Sequence, residues 1–179
     1  MGAATLGRLG MIILGVDPGS FRTGYGAIET DGRRHQLVEK GVLLSSGRLP
    51  LAARLRHIHA GMSALIARLG PGAMAVEDVF HAANTRTALV LGHVRGVILL
   101  AGAQAGLPIH AFPPATVKVQ VTGFGRAEKA QVALMVARLL GLPGEAEAGD
   151  AADALAVAVC QAHLQGALAE SLRARRRAR

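Results

Sequence analysis

The sequence predicts an α/β domain built on a five-stranded mixed sheet with helices on both faces. Three observations carry that reading: an unbroken apolar run at residues 11–17, two alternating segments after it, and a later exchange of helical and short apolar stretches. Met-Ile-Ile-Leu-Gly-Val-Asp (11–17) suits a central strand buried on both faces, and Pro18-Gly19 then turns the chain. Residues 23–30 and 36–45 alternate polar and apolar side chains, with Asp31-Gly32 between them as a hairpin signal, so the first three strands form an antiparallel meander. Pro50 opens a helix to about Leu69 with apolar residues at helical spacing, and Pro71-Gly72 stops it. Residues 73–78 form a short strand that again ends in acids. Asn84 caps a long helix to about Ala105, Pro108–Ala111 is a short strand, and Pro113-Pro114 starts another helix. After a Gly123-Phe124-Gly125 loop, Ala127–Leu140 is an amphipathic helix ended by Gly141, and Asp150 to about Leu168 is the last helix. The order is β-β-β-α-β-α-β-α-α-α, with no repeat and no linker to a second domain.

Composition narrows the function. The chain has 179 residues, 51% of them hydrophobic, which suits one folded domain with a good-sized core. No apolar stretch approaches the ~20 residues of a bilayer span, Arg95 interrupting the best candidate, so no membrane association is expected. Residues 1–10 lack the apolar region of a secretory signal and read as a flexible extension, or an upstream start that the fold does not need. The lone Cys160 excludes an internal disulfide and a cysteine-rich zinc site, and the chain reads as cytoplasmic. Net charge is +8, but five arginines fall in the last eight residues, and removing them leaves +3. Residues 169–179 therefore read as a basic tail, of a kind usually disordered and able to bind polyanions without sequence preference. Of 20 basic residues only Lys40, Lys118 and Lys129 are lysines, which suggests sites wanting a compact ammonium instead of a planar fork.

Four acids stand at telling places. Asp17 ends the first strand, Glu77 ends the fourth, and Asp150 and Asp153 lie three apart at the start of the last helix, where both carboxylates point one way. Each has an ordinary alternative: Asp150 as a helix cap, Asp17-Pro-Gly as a turn, Glu77 as a solvated strand end. Their conjunction points further, because clustered carboxylates repel by roughly 1–4 kcal/mol per pair at about 4 Å and must raise their pKa values or acquire cations. Hard divalent metals are the natural partners of oxygen ligands, and a metal pair serves phosphodiester cleavage. The small residues around Asp150 and Asp153 let a backbone or a ligand come close.

At these residues the sequence resembles the RuvC family of Holliday-junction resolvases. Ile-Leu-Gly-Val-Asp-Pro-Gly-Ser with Thr23-Gly24 is similar to the family's first motif, and Ala75-Val-Glu-Asp-Val-Phe80 to the second, followed by Asn84, Ala88–Gly92 and Arg95-Gly96. Pro113–Lys118 and Glu128–Val132 resemble the segment with two basic residues, and Asp150–Ala156 the last acidic motif, so the match runs collinearly over about 11–165. The resemblance implies a ribonuclease H-like fold in residues 11–168 and a homodimer that nicks two symmetry-related strands of a four-way DNA junction during recombination and repair. It implies that Asp17, Glu77, Asp150 and Asp153 hold Mg²⁺, two ions per subunit, with Mn²⁺ able to substitute. Lys118 and Lys129 would act at the scissile phosphate, and Phe80 would stack at the crossover. Arg22 and Arg86 are further candidate DNA contacts, Arg22 because Phe21 stands where the family often has Arg. Asp78 stands where Gln is common and adds a fifth acid beside the site. A branch-migration motor complex is an implied partner. The helix from Asn84 to Ala105, rich in small residues, is either a buried core helix or the dimer seam. Three rival readings remain open. An actin-like ATPase or sugar kinase would need a second such domain, for which there is no room. A non-catalytic junction-binding protein is weakly supported by the basic tail. Another ribonuclease H-like nuclease is disfavoured only by the surrounding motifs.

Overall fold

A computed structural model describes residues 10–78, 84–142 and 148–177. The elements are β1 (Met11–Asp17), β2 (Arg22–Thr30), β3 (His35–Leu44), α1 (Leu51–Leu69), β4 (Ala73–Glu77), α2 (Thr85–Gln104), β5 (Ile109–Phe112), α3 (Pro114–Thr122), α4 (Lys129–Leu139) and α5 (Asp150–Arg177). They follow the order read from the sequence. The five strands pair as β3-β2-β1-β4-β5. The first three form the antiparallel meander, while β4 runs parallel to β1 and β5 parallel to β4. The hairpin turn uses Asp31 Oδ1, which accepts from the backbone N–H groups of Arg33 and Arg34 at 2.8 Å each, with Gly32 at φ 91°.

The continuous apolar run of β1 is explained by burial on both faces. Leu14 and Val16 face a core shared with α1 and α2, through Ile58, Met62, Val94 and Ile98. Ile13, Ile28 and Ala75 face the opposite core, shared with α3, α4 and α5. Helix α5 lies between the sheet and the α3–α4 pair, and accordingly every residue from Ala154 to Ala162 is buried. A helix covered on both sides must be apolar almost all round, and this one is.

α5 comes unusually close to the sheet. A Cβ placed on Gly24 of β2 would collide with the backbone carbonyl of Asp150, and one on Gly15 of β1 with the carbonyl of Ala154. The helix's backbone therefore rests on bare glycine backbone, with Ala154 and Ala158 adding little bulk. This close approach is what the small residues around Asp150 and Asp153 serve.

Two expectations require correction. α5 does not end near Leu168 but continues through Arg177, so residues 169–177 of the basic segment are helical. After Gly166 the chain offers only good helix formers and Ser, with no Gly or Pro to stop it, and arginines in the last turns suit the negative end of the helix dipole. α2 is also long and apolar enough to cross a membrane by length and composition, with mean hydropathy 1.4. Here it packs one stripe (Val94, Ile98, Ala101, Gly102) against the sheet, and Arg95 is ion-paired. Of residues 1–10, only Gly10 falls within the described residues.

Gly24→Ala is expected to push α5 off β2. Overpacking of this kind costs about 1–3 kcal/mol, a fall of about 3–10 °C in the thermal midpoint of a domain this size, measurable by circular dichroism.

Candidate metal centre

The sheet order decides where the acids meet. β1 and β4 are parallel neighbours with Val16 opposite Val76, so Asp17 and Glu77 follow as the next residues at the same sheet edge. Asp17 also pairs with Gly24 of β2, the residue on which the first turn of α5 sits. The turn after Asp17 is fixed from inside: the fully buried Thr23 donates its hydroxyl to the Gly19 carbonyl at 2.8 Å. Asp150 and Asp153 then overhang the strand ends from the helix, and the Asp153 amide makes an early helical bond to the Gly149 carbonyl at 2.9 Å.

Asp17 and Glu77 share a hydrogen bond in which the protonated Glu77 carboxyl donates. Burial, reinforced by the charge of Asp153, raises Asp17; burial, reinforced by Asp17, raises Glu77 further, so the pair titrates between about 6 and about 8. The helix acids have cations on them. Asp150 Oδ2 accepts from Arg22 Nε at 2.6 Å, and Asp153 Oδ2 accepts from Lys129 Nζ at 2.7 Å. Lys129 stands at the first position of α4, entered through Glu128, whose N–H donates to the Gln131 side chain at 2.8 Å. From there the largely exposed Lys129 side chain reaches down to a mostly covered Asp153 carboxylate, which raises the lysine's pKa.

Among the described residues, no three Asp, Glu, His or Cys side chains stand together as a ready ligand set. The reason is local: Asp150 leans onto Arg22 and Asp153 onto Lys129. The donor chemistry nonetheless suits a hard divalent cation. Asp17 and Glu77 are held so close that they share a proton, and the fields of Asp153, and more weakly Asp150, reach Asp17. A cation bound among them would supply the positive charge that burial and the neighbouring acids now draw from a proton.

The remaining candidates are placed as follows. Lys118 sits on α3 beside the buried Val117, and among the described residues it forms no hydrogen bond or ion pair with the four acids. Arg86 is exposed in the first turn of α2, which Asn84 caps by accepting from the Thr87 N–H at 2.9 Å. Phe80 lies outside the described residues. Asp78 is not a loose fifth acid: Arg95 of α2 donates to it at 2.5 Å. Phe21 receives the guanidinium of Arg54 at 4.8 Å from its ring centre. Sequence reading missed the partnerships of Arg22, Lys129 and Arg95, which join residues 128, 24 and 17 positions apart. For Lys129 alone was there a signal, in the scarcity of lysine.

A sheet of this order, with carboxylates at the ends of its two central parallel strands and on a helix laid across them, defines a nuclease of the ribonuclease H-like class. A family model described as crossover junction endodeoxyribonuclease RuvC matches residues 13–161. The chain belongs to the RuvC family of crossover junction endodeoxyribonucleases. It is 48% identical to the RuvC protein of Desulforamulus reducens over 152 residues, covering 85% of this chain and 93% of that one. The protein of Anaeromyxobacter sp. (strain K) is 52% identical over 150 residues, covering 84% and 80%. Among solved structures, Thermus thermophilus RuvC in complex with Holliday junction substrate superposes with a TM-score of 0.82 at 34% identity, over 87% of this chain and 95% of that one. A yeast mitochondrial Holliday junction resolvase, 13% identical with a TM-score of 0.66, shares the fold. Family membership implies a divalent metal ion as cofactor.

The raised carboxyls make a signed prediction. Both bind protons more tightly folded than unfolded, so in chelator the protein loses stability as pH rises from their ordinary values of 3.8 and 4.5 toward about 8. Glu77→Gln is expected to flatten that fall and to raise the thermal midpoint at pH 8. A divalent cation should stabilise the native protein more at pH 8 than at pH 5, and Glu77→Gln less at either pH.

Proposed function

We propose that this chain resolves four-way DNA junctions by nicking two equivalent strands, with Asp17, Glu77, Asp150 and Asp153 as the ligands of two Mg²⁺ ions. The observation that supports this most is the meeting of carboxylates from three distant chain segments at one sheet edge, in a fold that superposes on a junction-bound relative. When bound, such ions supply the Lewis-acid charge that activates an attacking water and stabilises the leaving 3′-oxygen. The protein's own residues do the positioning. Asp17 and Glu77 are fixed by the central strands, whereas Asp150 and Asp153 sit on a helix anchored over Gly24. Lys129 exchanges its bond to Asp153 for a phosphate oxygen of the scissile strand, where an ammonium offsets developing negative charge. Arg22, released from Asp150, takes the neighbouring phosphate. Lys118 and Arg86 act along the bound strand, and Phe80 stacks at the crossover. Mn²⁺ substitutes for Mg²⁺ with the same oxygen donors.

Two cuts on symmetry-related strands call for two sites, and we assign the dimer seam to α2. Its outer face presents Leu89, Gly92, His93, Gly96 and Leu100 beside Leu55 of α1, with open space over both glycines. Leu89 and Leu100 are 60% and 48% exposed, on a helix that buries only Val94, Ile98, Ala101 and Gly102. Small residues between them permit close approach of a second copy, and a two-fold axis through this face pairs like with like.

Asp17→Asn is expected to bind an immobile four-way junction nearly as well as the native protein and to lose nicking by at least ~100-fold, read on a denaturing gel in Mg²⁺. Native protein should cut that junction in preference to plain duplex and to an RNA–DNA hybrid; preference for the hybrid would favour another ribonuclease H-like activity. Lys129→Ala should lower turnover by roughly 10–100-fold with a thermal midpoint nearly unchanged. Leu89→Glu should shift the particle toward the 18.4 kDa monomer in light scattering.

A further inference from the structure

The last turns of α5 leave the body of the protein, and every described residue from Ala167 to Arg176 is exposed. Across from them lies the β2–β3 turn: Gly166 packs on Gly32, and Arg33 Nη2 donates to Glu170 at 2.9 Å. The two features flank a cleft of about 570 Å³ that both Arg33 and Arg173 line. The acids here are already engaged, Asp31 with the turn's backbone N–H groups and Glu170 with Arg33. The side chains of Arg34, Arg173, Arg175 and Arg176 have no hydrogen-bonding or ionic partner among the described residues. Arg173 and Arg176, three apart, lie on the same side of the helix. The helix thus has its acids at the candidate metal centre and an exposed cluster of arginines at its other end, beyond the β2–β3 turn.

We propose that this far end is a second DNA-contacting surface, gripping the phosphates of a duplex arm about one helical turn from the crossover. The proposal rests on the reading that the acids of α5 mark the cutting end. Arg173 lies 20 residues along the helix from Asp153, about 30 Å at ~1.5 Å per residue. That is about nine base pairs at ~3.4 Å each. Charge complementarity favours a polyanion, and duplex DNA is the polyanion already held at the other end of the same helix. An anionic membrane is the weaker occupant: the projecting turns carry only Leu168 and Leu172 as large apolar residues, too little for an interfacial helix.

The test compares full-length protein with the triple variant Arg173→Gln, Arg175→Gln and Arg176→Gln, in which glutamine keeps the helix propensity. Binding is titrated against salt on junctions with arms of about 25 and about six base pairs. On long arms the variant should bind about 10–100-fold more weakly near 0.1 M salt, with a log–log salt slope shallower by about two to three. On short arms it should match the native protein, and a triple Arg→Lys variant should keep the native slope on both. An unchanged slope on long arms, an equal loss on both arm lengths, or a loss confined to phosphatidylserine vesicles would each overturn the proposal. Failure of the native protein to nick junctions would instead count against the proposed function, while an arm-length-dependent loss of binding would still support this surface.

Discussion

The seating of α5 on bare strand backbone is the constraint on which the rest of the structure depends. Gly15 and Gly24 let the helix backbone touch β1 and β2, and from that contact two things follow at once. The middle of α5 becomes the centre of one hydrophobic core, from Ala154 to Ala162. Its first turn arrives above the ends of β1 and β4, bringing Asp150 and Asp153 to Asp17 and Glu77. The core and the four acids share one interface, so a packing change there also changes where the acids stand.

That interface carries an electrostatic cost. Burial of Asp17 and Glu77, reinforced by their mutual charge and that of Asp153, opposes folding with both groups ionised, as their raised titration shows. Arg22 and Lys129 offset part of this from the solvent side, and the positive end of α5 offsets more. Arg95 does the same for Asp78, holding the residue after Glu77 against α2. The strands and helices that bear the acids are among the best packed in the molecule, and their burial outweighs the repulsion.

Much of this was legible in the chain. The order of elements could be read because each strand and helix has its own period, and because Pro and Gly punctuate nearly every boundary. The two acid-terminated strands and the i, i+3 aspartates were visible for the same reason: helix and strand geometry converts spacing into direction. What escaped reading depended on pairs distant in sequence. Nothing local says that Arg22 meets Asp150, or that Asp78 is neutralised by Arg95. The end of α5 was misjudged because an arginine run reads as solvated tail whether or not it is helical. The length of α2 hid its nature: an apolar helix only partly buried looks, in one dimension, like a core helix or a membrane span. Lys118 was placed by motif and by the scarcity of lysine, and its α3 position leaves it without a bond to the acids among the described residues.

The pairing of β1 with β4 has a further consequence for which changes the gene can accept. The two strands meet over only four matched positions, Ile13–Val16 against Ala73–Val76, and Glu77 follows at once. Inserting or deleting a single codon between Ala73 and Glu77 would invert the side-chain alternation and turn the carboxylate toward the opposite helical layer. Length variation among descendants of this sequence should therefore collect in the connections, such as that between α1 and β4, and be absent from these five residues.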